Sequence, residues 1–138
     1  LMIQGRPDLP GPLCHLWIDD DHDLTEYRGD PVVFVVASGR AHHAGPGGWF
    51  GVVGNSRAIG IEARNRGNGE PWSPLMQAVY WRTTAACLER IGRHHGWVCT
   101  HREWAPRRKI DPLGLDPNEF RQHVANLLAA GPPQAVAS

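Results

Sequence analysis

The residues best suited to chemistry lie in the last third of the chain. There His101 opens the run His101-Arg102-Glu103-Trp104-Ala105-Pro106-Arg107-Arg108-Lys109-Ile110-Asp111-Pro112. An imidazole at a strand end is followed by a proline-broken loop that brings back a lysine at 109 and a carboxylate at 111. Neutral imidazole nitrogen and carboxylate oxygen are both zinc donors, and a catalytic zinc site takes three protein ligands while leaving one position for water. His101 and Asp111 suit two of those three positions. Spacing alone equally allows a solvated, charged loop.

A second candidate is Glu62, which ends the apolar strand segment Ile59-Gly60-Ile61-Glu62. A buried carboxylate without a partner is costly. The residue must therefore pair with a cation, face solvent at the strand end, or sit in a cleft with a raised pKa that suits a general base.

Regular elements must hold these groups. Residues 5–13, rich in Gly and Pro, read as a loop leading into a short strand over Leu13–Ile18. After a polar turn at Asp19–Asp23, the β-branched run Val32–Ala37 reads as a buried strand that completes a hairpin. Residues 38–55 are too dense in Gly and His for regular structure, and long loops of this kind carry function. A strand follows at Ala58–Ala63, then a turn at Asn65–Gly69. Ser73 before Pro74 caps a helix of about five turns. Its apolar positions Met76, Val79, Tyr80, Thr83, Ala86, Cys87 and Ile91 run to Gly92. Trp97–Thr100 reads as a further strand and His101–Leu115 as irregular. Asp116 caps a terminal helix with Phe120, Val124, Leu127 and Leu128 on one face, stopped by Pro132 and Pro133. The expected architecture is α/β: a central mixed sheet flanked by helices, in one domain over 1–131 with a tail at 132–138.

The 138 residues carry 14 basic and 14 acidic side chains and no net charge, which speaks against a nucleic-acid partner. No apolar run approaches the roughly 20 residues needed to span a bilayer. The start Leu1-Met2-Ile3-Gln4-Gly5 lacks a basic region followed by an apolar signal core, so the chain reads as neither inserted in a membrane nor exported by a signal peptide. Cys14, Cys87 and Cys99 include no close-spaced pair and read as reduced, buried apolar groups. Among the tryptophans, flat faces lining a groove would suit sugar rings, although ordinary packing accounts for any one of them.

Four segments taken in order carry a resemblance: Gly5-Arg6-Pro7-Asp8-Leu9-Pro10-Gly11-Pro12-Leu13-Cys14-His15, Ala37-Ser38-Gly39-Arg40-Ala41-His42-His43-Ala44-Gly45, Ile59 to Glu62, and His101 to Pro112. Together they resemble the type 2 N-acetylmuramoyl-L-alanine amidases, the family that includes peptidoglycan recognition proteins, and most closely the lysin A amidase domains of mycobacterial phages. The resemblance implies a zinc-dependent peptidoglycan hydrolase that cuts the amide between N-acetylmuramic acid and L-alanine. It implies His101 and Asp111 as the second and third zinc ligands, Lys109 as the lysine that stabilises the transition state, and Glu62 as the catalytic glutamate. Cys14 stands where some relatives place a catalytic tyrosine. His15 matches a structural strand histidine and His42 an exposed neighbour. His43 resembles a residue of the substrate groove, where Trp49 and Asn65 are also placed. The family's first zinc ligand is a histidine on a strand before the Gly5–Asp8 loop and has no match, so it is expected upstream of Leu1, with that N-terminal strand missing; His43 or His15 is the lesser substitute. The implied setting is a phage endolysin, a monomer or a module of a multidomain lysin, made in the host cytoplasm and acting on the cell wall. The alternative is a non-catalytic peptidoglycan-binding module.

Overall fold

The computed structural model describes residues 1–134, so residues 135–138 of the expected tail lie outside the described residues. The segment expected to be a plain loop opens on a minute hairpin, β1 (Gly5–Arg6) with β2 (Leu9–Pro10). It closes only because Gly5 takes φ +87° and a Cβ there would run into the backbone of Gly11.

The central sheet is built from β3 (Leu16–Asp19) and β4 (Val32–Val35), paired antiparallel with Leu16 opposite Val35 and Asp19 opposite Val32. Their connection is a long excursion with a 3-10 turn at Thr25–Tyr27, not a short polar turn. Within the loop over 38–55, expected to lack regular structure, a second small hairpin forms from β5 (Gly48–Trp49) and β6 (Val52–Val53). Then β7 (Ile61–Ala63) joins the other edge of β3 in parallel, giving the order β4-β3-β7. The sheet is therefore mixed, as expected. Ile18 at its centre has no exposed surface. Side chains alternate along a strand, so Glu62 lies beside Trp17 and on the face opposite Ile61 and Ala63.

Helix α1 (Pro74–Ile91) starts where Ser73 Oγ accepts from Met76 N at 3.1 Å and ends at Gly92, which adopts φ +67°. Its buried positions are Met76, Thr84, Ala85 and Leu88. That differs from the expected apolar stripe, in which Ala86 and Ile91 turn out exposed. The cause is that α1 touches two partners, the sheet on one side and the terminal helix on the other. Thr84 is tolerated inside because its hydroxyl donates to Tyr80 O at 2.9 Å.

The expected strand over Trp97–Thr100 does not form. His94 accepts from Gly96 N through its ring at 3.1 Å and winds His95–Trp97 into a 3-10 turn. A short helix α2 (His101–Trp104) follows, inside a stretch expected to be irregular; His101 thus opens a helical turn and does not end a strand. Helix α3 (Pro117–Ala130) is capped by Asp116, whose carboxylate accepts from Asn118 N and Glu119 N. Ala85 and Leu88 of α1 pack with Leu115, Phe120 and Val124 into the main apolar cluster, edged by Trp72, Tyr80, Trp81 and Trp97. No helix among the described residues is long and apolar enough to cross a membrane.

Candidate functional site

Four elements converge on one cavity of about 1080 Å³, lined among others by His43, Trp49, Glu62, Asn65, His101 and Asp111. At its centre His101 Nδ1 lies 3.0 Å from Asp111 Oδ2. The approach is made locally. Arg102 N donates to Asp111 O at 2.9 Å, which folds the 105–111 loop back over the first turn of α2.

That turn is itself anchored by Glu103. Its Oε2 accepts from Thr100 N and Thr100 Oγ1, each at 2.9 Å, and its carboxylate meets Arg121 of α3 at 2.7 Å and 3.0 Å. Arg121 also donates to Val98 O at 2.9 Å.

The electrostatics separate the two central carboxylates. Asp111 is held below the usual carboxylate range, mainly by its hydrogen bond with His101. Glu62 is pushed above that range by burial first and the neighbouring Asp111 charge second, against the opposing pull of His101 and Lys109. Among the described residues Glu62 has no ion-pair partner. Of the three fates open to it in the sequence, the structure selects the cleft with the raised pKa. Two carboxyls pushed in opposite directions suit a fixed anion and a proton acceptor respectively. Lys109 does not line the cavity, yet its ammonium acts on both carboxylates, and its backbone N–H is tied to Ala105 O at 2.9 Å.

Of the groove residues, His43 is pushed below the usual imidazole range by burial and then by the neighbouring His15, whose ring meets it edge-on at 5.0 Å. Trp49 donates from Nε1 to Gly96 O at 3.0 Å. Asn65 organises its own turn, accepting from Gly67 N at 2.9 Å and donating to Glu70 O at 3.2 Å, and the residue lines the cavity. His15 accepts from Gly60 N at 3.0 Å, a structural contact, although it too reaches the cavity wall. His42 is not a merely exposed neighbour, since its Nδ1 meets Pro10 O at 2.7 Å and ties down the first hairpin. Cys14 is fully buried, and burial followed by the Glu62 charge pushes its thiol to about 12. It is therefore a neutral filler.

Four residues at the site carried no functional reading in the sequence. Tyr80 of α1 donates to Ile61 O at 3.0 Å and braces the strand that carries Glu62. Asn55 and Arg108 grip the turn beside His101. Phe50, 68% exposed with φ +45°, stands at the tip of the β5–β6 hairpin with its ring against Trp49 and Trp97. A signal for that hairpin existed: Phe50-Gly51 is a two-residue loop between Trp49 and Val52.

A family model described as N-acetylmuramoyl-L-alanine amidase matches residues 3–114. The chain belongs to this amidase family. A solved structure of the N-acetylmuramyl-L-alanine amidase AmiD from E. coli, in complex with the substrate anhydro-N-acetylmuramic acid-L-Ala-D-gamma-Glu-L-Lys, shares its fold with a TM-score of 0.65 and 26% identity. The match covers 80% of this chain and 47% of that one, so the chain spans about half the length of the solved relative. No curated protein sequence matches the chain.

The zinc implied by the amidase resemblance is tested by the surroundings of His101. Its Nδ1 faces Asp111 Oδ2 at 3.0 Å and its Nε2 faces Ala44 O at 3.3 Å, so both ring nitrogens meet oxygen acceptors. A neutral imidazole has one proton to give. The second contact therefore needs either another proton or a cation between nitrogen and carboxylate. The donor types fit zinc. They amount to two ligands, and among the described residues no group of three or more His, Cys, Asp or Glu side chains is gathered for a metal.

Proposed function

We propose that this amidase-family chain is the catalytic part of a zinc-dependent peptidoglycan hydrolase that cuts the amide joining N-acetylmuramic acid to L-alanine of the stem peptide. The observation that carries the reading is the meeting of His101 and Asp111 at 3.0 Å in the same cavity as a proton-accepting Glu62. His101 and Asp111 would hold the ion, with a further histidine as third ligand. When bound, zinc supplies Lewis acidity, which acidifies water and polarises a carbonyl.

The chain's own groups account for the remaining steps. Glu62, whose environment favours holding a proton, takes one from the attacking water and later delivers it to the departing amine of L-alanine. Lys109 meets the negative charge that grows on the former carbonyl oxygen, an interaction strengthened by a partly dehydrated cleft. His43, Trp49 and Asn65 form the wall against which the muramyl peptide lies. The likeness of the sequence runs to lysin A amidase domains of mycobacterial phages supports a phage endolysin acting on the host cell wall during lysis, as a monomer or as one module of a larger lysin.

The test is Glu62→Gln in the full-length protein, with zinc content and amide cleavage measured together. The expected result is unchanged zinc and turnover lowered by about 10²–10⁴-fold. Unchanged turnover refutes the general-base role. One observation favours a second reading, a receptor that binds peptidoglycan without cutting it: only two ligand-type groups meet at His101 among the described residues. That reading calls for muramyl-peptide binding with neither zinc nor cleavage in the wild-type protein.

A further inference from the structure

The carbonyl oxygen that faces His101 Nε2 belongs to Ala44, which is buried. It accepts at the same time from an Arg108 guanidinium nitrogen at 2.8 Å, and that nitrogen also reaches Pro46 O at 3.0 Å. On the other side of the turn, Ala44 N and Gly45 N both donate to Asn55 Oδ1, at 2.8 Å and 3.0 Å. Gly45 adopts φ +62°, and a Cβ there would come within 3.0 Å of the Arg108 guanidinium. The turn is thus gripped through its amides by Asn55 and through its carbonyls by Arg108. Arg108 holds the Ala44 oxygen directly, and Asn55 holds the same peptide group through Gly45 N.

A carbonyl oxygen only accepts, so the Ala44 contact is satisfied only when Nε2 carries the ring proton, whereas the Asp111 carboxylate can be met either by a proton on Nδ1 or by a cation there. A proton on Nε2 leaves the Nδ1 lone pair free on the side of Asp111. A histidine ligand commonly gives its other ring N–H to a carbonyl or carboxylate, which fixes both tautomer and ring orientation. A carbonyl can play that part only if it is itself held in place. A free 44–46 turn would let the ring rotate, or let Asp111 capture the proton on Nδ1.

We propose that Asn55 and Arg108 are positioning residues: by fixing the Ala44 carbonyl they hold the His101 proton on Nε2 and present Nδ1, together with Asp111 Oδ2, to a divalent cation. This rests on the preceding reading of His101 and Asp111 as ligands. It goes beyond that reading in assigning metal affinity to two residues outside the ligand set.

The experiment uses the full-length protein. Imidazole ¹⁵N spectra of the metal-free form, recorded where the ring is neutral, report the His101 tautomer, and competition with a chromophoric chelator reports zinc affinity. Wild-type protein should show a larger Nε2–H fraction than either alanine variant. Arg108→Ala and Asn55→Ala should shift His101 towards Nδ1–H and weaken zinc binding by about 10–100-fold. Asn55→Asp, which keeps an acceptor for the two amides, should restore most of the affinity. Thermal melts of the metal-free variants separate this from unfolding, since loss of the fold would abolish the His101 signature outright and would not be rescued selectively by Asp at 55. Tautomer and zinc affinity unchanged within twofold in both alanine variants would overturn the proposal. A wild-type protein that binds no zinc would instead overturn the metal reading, while the tautomer populations of the metal-free variants still decide this one.

Discussion

Breaking the Glu103–Arg121 pair should cost both stability and the site. The two side chains are only 21% and 14% exposed, and six hydrogen bonds converge on them: Glu103 accepts from Thr100 N, Thr100 Oγ1 and twice from Arg121, which also donates to Val98 O and Asn118 Oδ1. Removing one member of a fully buried pair costs about 3–5 kcal/mol, because the survivor's charge is left uncompensated. Here some water reaches the survivor, which lowers the expected cost of Glu103→Ala or Arg121→Ala to about 2–3 kcal/mol. For a domain of this size that corresponds to a fall in Tm of roughly 6–15 °C. The double variant should be little worse than either single one, which corresponds to a coupling of about 2–3 kcal/mol.

A pH dependence follows from the same pair. Burial raises the Glu103 carboxyl, but the hydrogen bonds from Arg121 and Thr100 outweigh it, and the net shift is downward. A group depressed in the folded state adds stability that is present above its unfolded pKa and lost as pH falls through its folded one, so the loss here lies below the ordinary glutamate value of about 4.3. Glu103→Gln should flatten that part of the acid unfolding profile. Circular-dichroism melts of the wild type and the four variants across pH provide the assay. Single variants that lose less than about 0.5 kcal/mol, or a strictly additive double variant, would refute the view that this pair pins the His101 turn to α3.

Three further outcomes are expected. Lys109→Ala should lower kcat much more than it raises KM, as for a contact made mainly in the transition state; steady-state kinetics in which only KM changes would make Lys109 a docking residue. Phe50→Asn should shift Tm by no more than about 3 °C, because relief of left-handed strain (about 1 kcal/mol) offsets the lost ring contacts (about 0.5–1.5 kcal/mol), while KM for muramyl peptide rises; a large Tm loss with unchanged KM would show a purely structural ring. Cys14, buried with its thiol near 12, should resist an aromatic disulfide reagent at neutral pH in the native protein and react on unfolding, and rapid native labelling read by mass spectrometry would contradict its burial.

Much of the frame was legible in the chain because its signals are local. Ser73-Pro74 and Asp116-Pro117 state where α1 and α3 begin, and both caps are made. The apolar runs at Val32 and Ile59 become strands of the mixed sheet. What escaped was set by tertiary contact. The buried side of α1 could not be read from its periodicity, because sheet and α3 cover different sides of it. Trp97–Thr100 has a strand composition, yet a histidine cap at His94 and the pull of Glu103 on Thr100 bend it into turn and helix. At the site, His101 and Asp111 were visible as donor types, and the structure brings them together. The grip of Asn55 and Arg108 on Ala44 was not visible, since those contacts span 11 and 64 positions of sequence and involve backbone atoms that carry no residue signature.

The central claim is hydrolysis of one particular bond by the groups gathered around His101. Its most direct test is digestion of a muramyl-L-alanyl peptide by the full-length protein in water enriched in ¹⁸O, with products weighed by mass spectrometry. The account requires one heavy oxygen in the lactyl carboxylate of the muramic acid fragment, an unlabelled peptide with a free L-alanine amine, and loss of both products after chelation of zinc. Intact substrate, or heavy oxygen appearing at a carboxyl within the peptide, would contradict it.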